Sequence, residues 1–586
     1  MNLSAFETFF PEKRPFFVEG SNIFEFNVGY DDGSGEQLFY SRRIGRVPQR
    51  VPDAPDAWVD APDVTTILGA VKISGKTASG WTIGFLDAVT AGERARLAGP
   101  DGEIGEEPVE PLTNYAVGSV SRDFRRGRSS IGLFGTATNR RLGAGGEFDF
   151  LRSSAYVVGV RGRHRFAGGG WEANGYVAAS HIRGSEAAIS RVQLAPGHYF
   201  QRPDAEHLEY DPSRTSLSGA IANVWVGTVG GGRIRGGVGG HLRTPGLELN
   251  DVGFMNGADE ALVFGSLRYH QFEAWGPFRN FVVALNPSAM WTTGGERSWA
   301  QIGHWAEWEL HSLWNFGWWV GRRFSALHPT AMRGGPAVRR DDGIQYSAWI
   351  NGDRRKPVVA NVSLSGGREY GNGTWSFSIS PGLTFRPSGG ISIALSPNVQ
   401  RNHNTWQYVG QPAAGEETHY IVGELDQTTV SLTTRLGLAL SPTLSFELYA
   451  QPFLSGGEYT RFRRLAEPRA RSFDDRFEVL DASYAAAARR YRADVDGDGA
   501  PELTFGNPDF NFKQMRGNAI LRWEYTPGST LYLVWSQSRT ASLPIEPGDE
   551  PFDLGRDARR LFNRDPGFPT PVTHVFMVKV SYWLNL

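Results

Sequence analysis

The chain has no cysteine among its 586 residues. That excludes disulfide staples, thiolate metal centres and thiol nucleophiles together. No apolar run approaches the roughly 18 residues of a membrane-spanning helix. Lysine is scarce: six of the 60 basic residues are lysine (Lys13, Lys72, Lys76, Lys356, Lys513 and Lys579), against 54 arginines. A net charge of −2 leaves no basic footprint for nucleic acid. The opening residues, MNLSAFETFFPEKRPFF, lack a basic stretch followed by an apolar one, so no signal peptide is visible in them. Turn formers are abundant instead, with 72 glycines and 34 prolines, well above the roughly 12% average. This favours an all-β chain. The mean hydropathy of −0.35 looks soluble, yet a barrel with a wet lumen and polar loops averages to the same value. Strands cross a membrane only as a closed barrel, which satisfies every backbone group.

Residues 519–540 display the repeating unit. Leu521, Trp523 and Tyr525 alternate with Arg522 and Glu524, and Leu531, Leu533 and Trp535 resume the period of two after Thr526-Pro527-Gly528-Ser529. This is a hairpin with one apolar face and one charged face. An odd loop, Pro527-Gly528-Ser529, would set Trp523 opposite Leu533 and send Arg522 and Glu524 into a lumen. Similar pairs recur at 67–77 with 81–91, 156–166 with 171–181, 216–228 with 233–243 and 375–385 with 391–401. Tight turns alternate with long polar connections such as 183–213 and 457–512, as periplasmic turns and extracellular loops do in outer-membrane barrels. Trp81, Trp171, Trp275, Trp314, Trp318, Trp319, Trp523 and Tyr525 sit near the tight turns, where an interfacial girdle belongs. Strand and loop lengths vary too much for a soluble propeller or solenoid.

The final segment, 572–586, carries Val578, Val580, Tyr582, Leu584 and Leu586 on one face, with Lys579, Ser581 and Asn585 opposite. It is similar to the C-terminal targeting strand read by the barrel-assembly machinery, although that strand ordinarily ends in an aromatic residue. Ten hairpins and this last strand require one earlier strand climbing outward. Residues 37–47, QLFYSRRIGRV, are the candidate, giving about 22 strands closed by the last against the first. The division is therefore 1–62, a plug-like segment and first strand, and 63–586, a large transmembrane antiparallel β-barrel. Residues 1 to about 35 mix Phe9, Phe10, Phe16 and Phe17 with Glu12, Lys13, Arg14 and Glu19. Such a segment suits neither lipid nor free solution. It is expected inside the lumen, with Arg14 and Glu19 paired to wall charges.

Three constellations could carry chemistry. Asp494, Asp496 and Asp498 occupy positions 1, 3 and 5 of a calcium-type loop with Gly499 at 6 and Glu502 at 9, but Phe505 replaces the bidentate Glu at 12. A Ca2+ ion in an extracellular loop is the expectation, with no cofactor required otherwise. Arg161, Arg163 and Arg165 share one strand face, as do Arg233 and Arg235. In a barrel they line the lumen and favour anions, or else pair with Glu307, Glu309 or the N-terminal segment. Glu307 and Glu309, roughly 6 to 7 Å apart by the strand repeat, overlap glycosidase spacing, though such pairs are common. His304 and His311 fit no metal-binding spacing and read as lumen or loop histidines.

Several phrases together resemble a known family: FFPEKRPFFVEG (9–20), LFYSRRIGR (38–46), ILGAVKISGKT (67–77), DVDGDG (494–499), GNPDFNF (506–512) and RGNAILRWEYTPGSTLYLVWSQSR (516–539). They resemble the barrel domain of unknown function that usually follows a family-9 carbohydrate-binding-like domain in Gram-negative outer-membrane proteins. The resemblance implies a bacterial outer-membrane barrel in contact with lipid, whose leader and sandwich domain belong to a longer precursor. It supplies no catalytic motif. The expected function is a channel, transport or export component linked to carbohydrate or polymer handling. The alternative is a glycan-binding or glycan-hydrolysing outer-membrane protein.

Overall fold

The computed structural model describes residues 5–29, 35–54, 56–495, 497–568 and 570–583. The wall begins with β1 (Ile67–Lys76), β2 (Trp81–Thr90), β3 (Leu112–Phe124), β4 (Ser129–Arg141), β5 (Arg152–Phe166), β6 (Trp171–Gly184) and β7 (Ser216–Thr228). It continues through β8 (Ile234–Arg243), β9 (Glu260–Gln271), β10 (Phe278–Trp291), β11 (Arg297–Leu310), β12 (Asn315–Arg323), β13 (Gly343–Asn351) and β14 (Val358–Glu369). The last third is β15 (Trp375–Ser388), β16 (Ile391–Gly410), β17 (Ile421–Ser441), β18 (Leu444–Leu465), β19 (Phe510–Thr526), β20 (Ser529–Leu543) and β21 (Val572–Ser581). Each strand pairs antiparallel with the next. Together with the short Phe477–Val479, which extends from the end of β18, they make one 22-stranded sheet curled into a barrel. Tight turns collect at one end and long connections at the other, as the Gly/Pro punctuation requires.

The two faces are separable by register. Cross-strand partners share a face, and Leu86, Val117, Phe134 and Val157 pack on the N-terminal segment, which marks the inside. Their neighbours Phe85, Leu133 and Val158 point outward and are 46%, 54% and 54% exposed. Following the ladders around, Leu267, Leu285, Ile302, Leu383, Leu395, Val399, Leu533 and Val578 are also outward and exposed. A continuous apolar belt of this kind is lipid-facing surface. At its tight-turn margin Phe278, Phe281, Trp308, Phe316 and Trp318 form an aromatic cluster with neighbouring centroids 4.3–6.3 Å apart. Trp275 stacks on this cluster, and His304 accepts from Trp318 Nε1 at 3.2 Å. His304 is thus an outer-face residue, not a lumen one.

The β19–β20 hairpin keeps its predicted faces but not its predicted register. Trp523 stands opposite Leu531 and Leu521 opposite Leu533, because the ladder shifts between Glu524 and Thr526 and Ser529 pairs with Thr526. The loop is Pro527-Gly528, with Gly528 at φ 79°. Trp523 faces outward, 47% exposed, and Arg522 and Glu524 face the lumen, 3.3 Å apart.

Residues 37–47 are not the first wall strand. Leu38, Phe39 and Tyr40 are consecutively buried, a pattern no two-faced wall strand can have, and a 3-10 turn follows at Ser41–Arg43. The wall starts at β1, which heads toward the tight-turn end, as does β21. Among the described residues no ladder or bridge joins β21 to β1, so the expected closure against 37–47 is not made.

The main core lies off the barrel axis. Phe17, Phe24, Phe26, Val28, Leu38, Phe39 and Ile44 pack on the inner faces of β2–β7 and on Leu247, Leu249, Val252 and Met255 of the connection after β8. Fully burying a side chain such as Phe26 contributes roughly 1.5–3 kcal/mol. The outward and inward assignments have a direct test. Val158→Arg, on the lipid face, is expected to cost about 2–4 kcal/mol and to abolish heat-modifiable gel migration. Ser378→Arg, on the inner face of β15, is expected to leave migration unchanged.

Candidate functional site

The N-terminal segment is held in the lumen by ions as well as by apolar contact. Arg243, on the inner face of β8, places both terminal nitrogens on the Glu36 carboxylate, at 2.8 and 2.7 Å. Its remaining donors reach Val28 O, Gly257 O and His241 Nε2 at 2.9–3.1 Å. Arg43 binds Glu7 at 2.8 Å, Gly253 O at 3.0 Å and Asn250 at 3.1 Å. Asp251 sits between Arg140 at 2.6 Å and Arg152 at 2.8 Å. The connection 244–259 is therefore not a surface loop. It folds inward and bridges the segment through reciprocal bonds between Gln37 and Phe254 and from Tyr40 N to Val252 O.

Each predicted plug residue has a place in this arrangement. Phe17 is buried with Arg14 4.3 Å over its ring, and Phe16 meets it edge-on at 5.0 Å. Arg14 binds Glu12 and the carbonyls of Ser41 and Ile44. Its partners are thus within the segment rather than on the wall, which corrects the expectation. For Glu19 it is the backbone carbonyl, together with that of Phe16, that receives wall Lys72. Lys13 is exposed. Burial opposes the charge on Glu12, but hydrogen bonds from Arg14, Ser41 and two backbone amides overcome it and hold the carboxyl at about 2.

The predicted lumen residues cluster near the tight-turn end and are mostly engaged. Arg161 donates to Glu25 O at 2.8 Å and lies over Phe26. Arg165 binds Glu172 at 2.7 Å, Arg163 reaches Gly127 O, and Arg233 binds Glu273 at 2.8 Å. Arg235 lies over Phe272. Glu307 accepts from Asn315 at 3.1 Å, and Glu309 from Arg279 at 3.0 Å and Asn280 at 2.6 Å. Neither glutamate meets the arginine rows.

Asp494, Asp498 and Glu502 approach closely enough to share an ion, in the loop between two short strands, Arg490–Asp494 and Leu503–Gly506. Asp494 accepts from Gly497 and Gly499, Asp498 from Ala500, and Glu502 from Val495. Asp496 lies outside the described residues. In the targeting strand Val578 and Val580 face outward and Tyr582 is exposed, while Leu584 and Leu586 also lie outside the described residues.

Beyond the N-terminal segment, two cavities lie along the inner faces of β9–β13. A vestibule under the long connections, about 470 Å³, is bounded by Phe6, Tyr199, Arg202, Arg340, Met290 and Trp299. A recess of about 580 Å³ continues down the wall from Met290 and Trp299 to Trp319 and Gln345. Glu369 anchors the rim, binding Arg323 at 2.6 Å, Arg340 at 2.7 Å and Asn372 at 2.8 Å. Arg469 ties Asp204 and Glu296 together above.

Sequence reading missed the Arg243–Glu36 pair, the inward connection and the aromatic recess. Only the last left a local signal. Adjacent Trp318 and Trp319 must take opposite faces of a strand, so both cannot join an outer girdle; Trp319, partnered to Trp305, faces in.

An antiparallel barrel with its own N-terminal segment packed against part of the inner wall is the class the fold defines. The chain belongs to the DUF5916 family, a domain of unknown function, whose family model matches residues 1–586. Among curated proteins none is similar in sequence. The outer-membrane transporter YddB from Escherichia coli is similar in structure at 7% identity and TM-score 0.39, over 87% of this chain and 67% of that one. The FrpB iron transporter from Neisseria meningitidis is similar at 8% identity and TM-score 0.33, over 82% and 75%. The siderophore receptor PiuA from Acinetobacter baumannii is similar at 7% identity and TM-score 0.29, over 85% and 81%.

Two outcomes test the plug interface. Arg243→Ala leaves Glu36 buried without its charge partner and is expected to cost about 3–5 kcal/mol, read as faster hydrogen exchange at Val28 and Leu38. Acid acts on Glu12 with a defined sign. A depressed carboxyl stabilises the docked segment above its free value of 4.5, and that contribution is lost as pH falls toward about 2. Exchange at Arg14 is expected to rise across that window in the native protein and to be insensitive to it in Glu12→Gln.

Proposed function

We propose that this chain is a bacterial outer-membrane transport or export barrel for a neutral carbohydrate or similar polar polymer, with residues 5–46 as its plug. The single observation carrying this reading is the chemistry of the inner wall away from the plug. There β14–β17 present Ser363, Ser365, Ser376, Ser378, Ser380, Asn398, Gln400, Thr429, Ser431 and Thr433 to the lumen. Hydroxyls and amides both donate and accept, so this surface exchanges hydrogen bonds with a polyhydroxylated solute, with Glu369 of β14 and Arg435 of β17 as charged residues on the same inner faces. The apolar belt and aromatic margin support an outer-membrane location. The exposed outward face of β21 supports handling by the assembly machinery.

The plug reading supplies the gate. Deletion of residues 1–46 removes the buried segment, and the deleted barrel in planar bilayers is expected to conduct several-fold more than the intact protein while unfolding at lower temperature. Equal conductance with and without the segment would falsify the plug role.

A further inference from the structure

We propose that the recess on the inner faces of β7 and β9–β13 is a binding site for the rings of a neutral saccharide chain. The proposal rests on the transport reading above and names where and how that lumen would hold its ligand. Trp225, Phe264, Trp299 and Trp319 line the recess, and all four are half-buried. Three of the rings lie flat on the wall because the residues beneath them are glycines. A side-chain carbon at Gly237 would stand 2.7 Å from the Trp225 ring, and one at Gly321 would stand 2.5 Å from the Trp319 ring. Gly239 leaves the same room for Phe264. Each of these rings therefore spends one face on backbone and turns the other toward the lumen.

Filling the space above a glycine is a structural role in its own right, but it uses only the packed face. The open faces occur where the polar lining is uncharged: Asn286, Gln301, Gln345, Ser266 and Ser288 stand among the rings, with Arg268 as the one charged lining residue. A pyranose ring presents a face of C–H groups and a rim of hydroxyls. The first stacks on an aromatic plane, and the second matches amides that offer donor and acceptor together. An anionic polymer calls for a row of guanidiniums, and an acyl chain would leave the amides unsatisfied. Met290 and Trp299 border both the recess and the vestibule, so a chain entering under the long connections reaches the rings without crossing the plug.

The test is titration of the intact protein in detergent with maltohexaose, cellohexaose and chitohexaose, followed by tryptophan fluorescence and heat of binding. Saturable binding of at least one is expected, weakened about tenfold by Trp225→Leu or Trp319→Leu and unchanged by Trp318→Leu on the outer face. Leucine keeps an apolar cover over the glycine, and heat-modifiable migration verifies assembly. Should a leucine variant fail to assemble, Gln301→Ala with Gln345→Ala leaves every ring in place and is expected to show the same loss. The proposal is overturned if none of the three saccharides binds, or if the double leucine variant binds as the native protein does. It is equally overturned if polyethylene glycol of matching mass or an oligogalacturonate binds as well. Bilayer recordings separate this from the transport reading. Saccharide binding without any current removes passage and keeps the site, whereas current without saccharide binding removes the site and keeps passage.

Discussion

Arg243 is the point on which wall, plug and inward connection depend. A guanidinium has five N–H donors and cannot shed its charge, so burying one is tolerable only when every donor is met. Here they are met by Glu36 and Val28 from the plug, Gly257 from the connection after β8, and His241 two residues back on the same strand. No one element could satisfy it. Burial of this residue thus fixes the relative position of three chain segments that are otherwise joined by loops. A buried pair of this kind adds little net stability but specifies one arrangement, since breaking it strands a charge. The phenylalanines supply the driving force around it.

The lumen is consequently two unlike halves. Beside β2–β7 the middle of the inner wall is apolar and used up in packing, with Arg161, Arg163 and Arg165 toward the tight turns. Beside β9–β17 the middle is hydroxyl, amide and flat ring, with Glu307 and Glu309 toward the tight turns and Arg323 and Glu369 at the rim. The division follows the sequence. Leu86, Val117, Phe134 and Val157 occupy inward positions early in the chain, and serine, threonine and asparagine occupy the equivalent positions later. A barrel without a plug would have no reason for the first half, and a fully packed one no reason for the second.

Much of the architecture was legible in the residues. Period-two alternation with Gly/Pro turns located the hairpins, and the faces of Trp523, Arg522 and Glu524 followed from parity alone. Register did not, because the irregularity at Tyr525 depends on how Glu524 and Thr526 meet their partners across the turn. Residues 37–47 read as a wall strand because ten hairpins and a final strand call for one earlier strand climbing outward. What decides their place is burial on all sides by residues 200 positions away, which has no local trace. The ion pair of Arg243 with Glu36 is invisible for the same reason, and so is the inward path of 244–259. The calcium-type spacing at 494–502 brings Asp494, Asp498 and Glu502 within reach of one ion, and their carboxylates also accept from neighbouring amides.

The inward connection also changes what it means to open this barrel. Removing the plug bodily would strip Arg243 of Glu36 and Val28, and Gly253 and Asn250 of Arg43. Their bonds to protein would have to be replaced by bonds to solvent before the segment travelled any distance. On the plug reading, opening would begin with water reaching the buried Arg243–Glu36 contact. A displacement just large enough to let water reach Glu36 would already exchange the bonds of Arg243 for bonds to solvent.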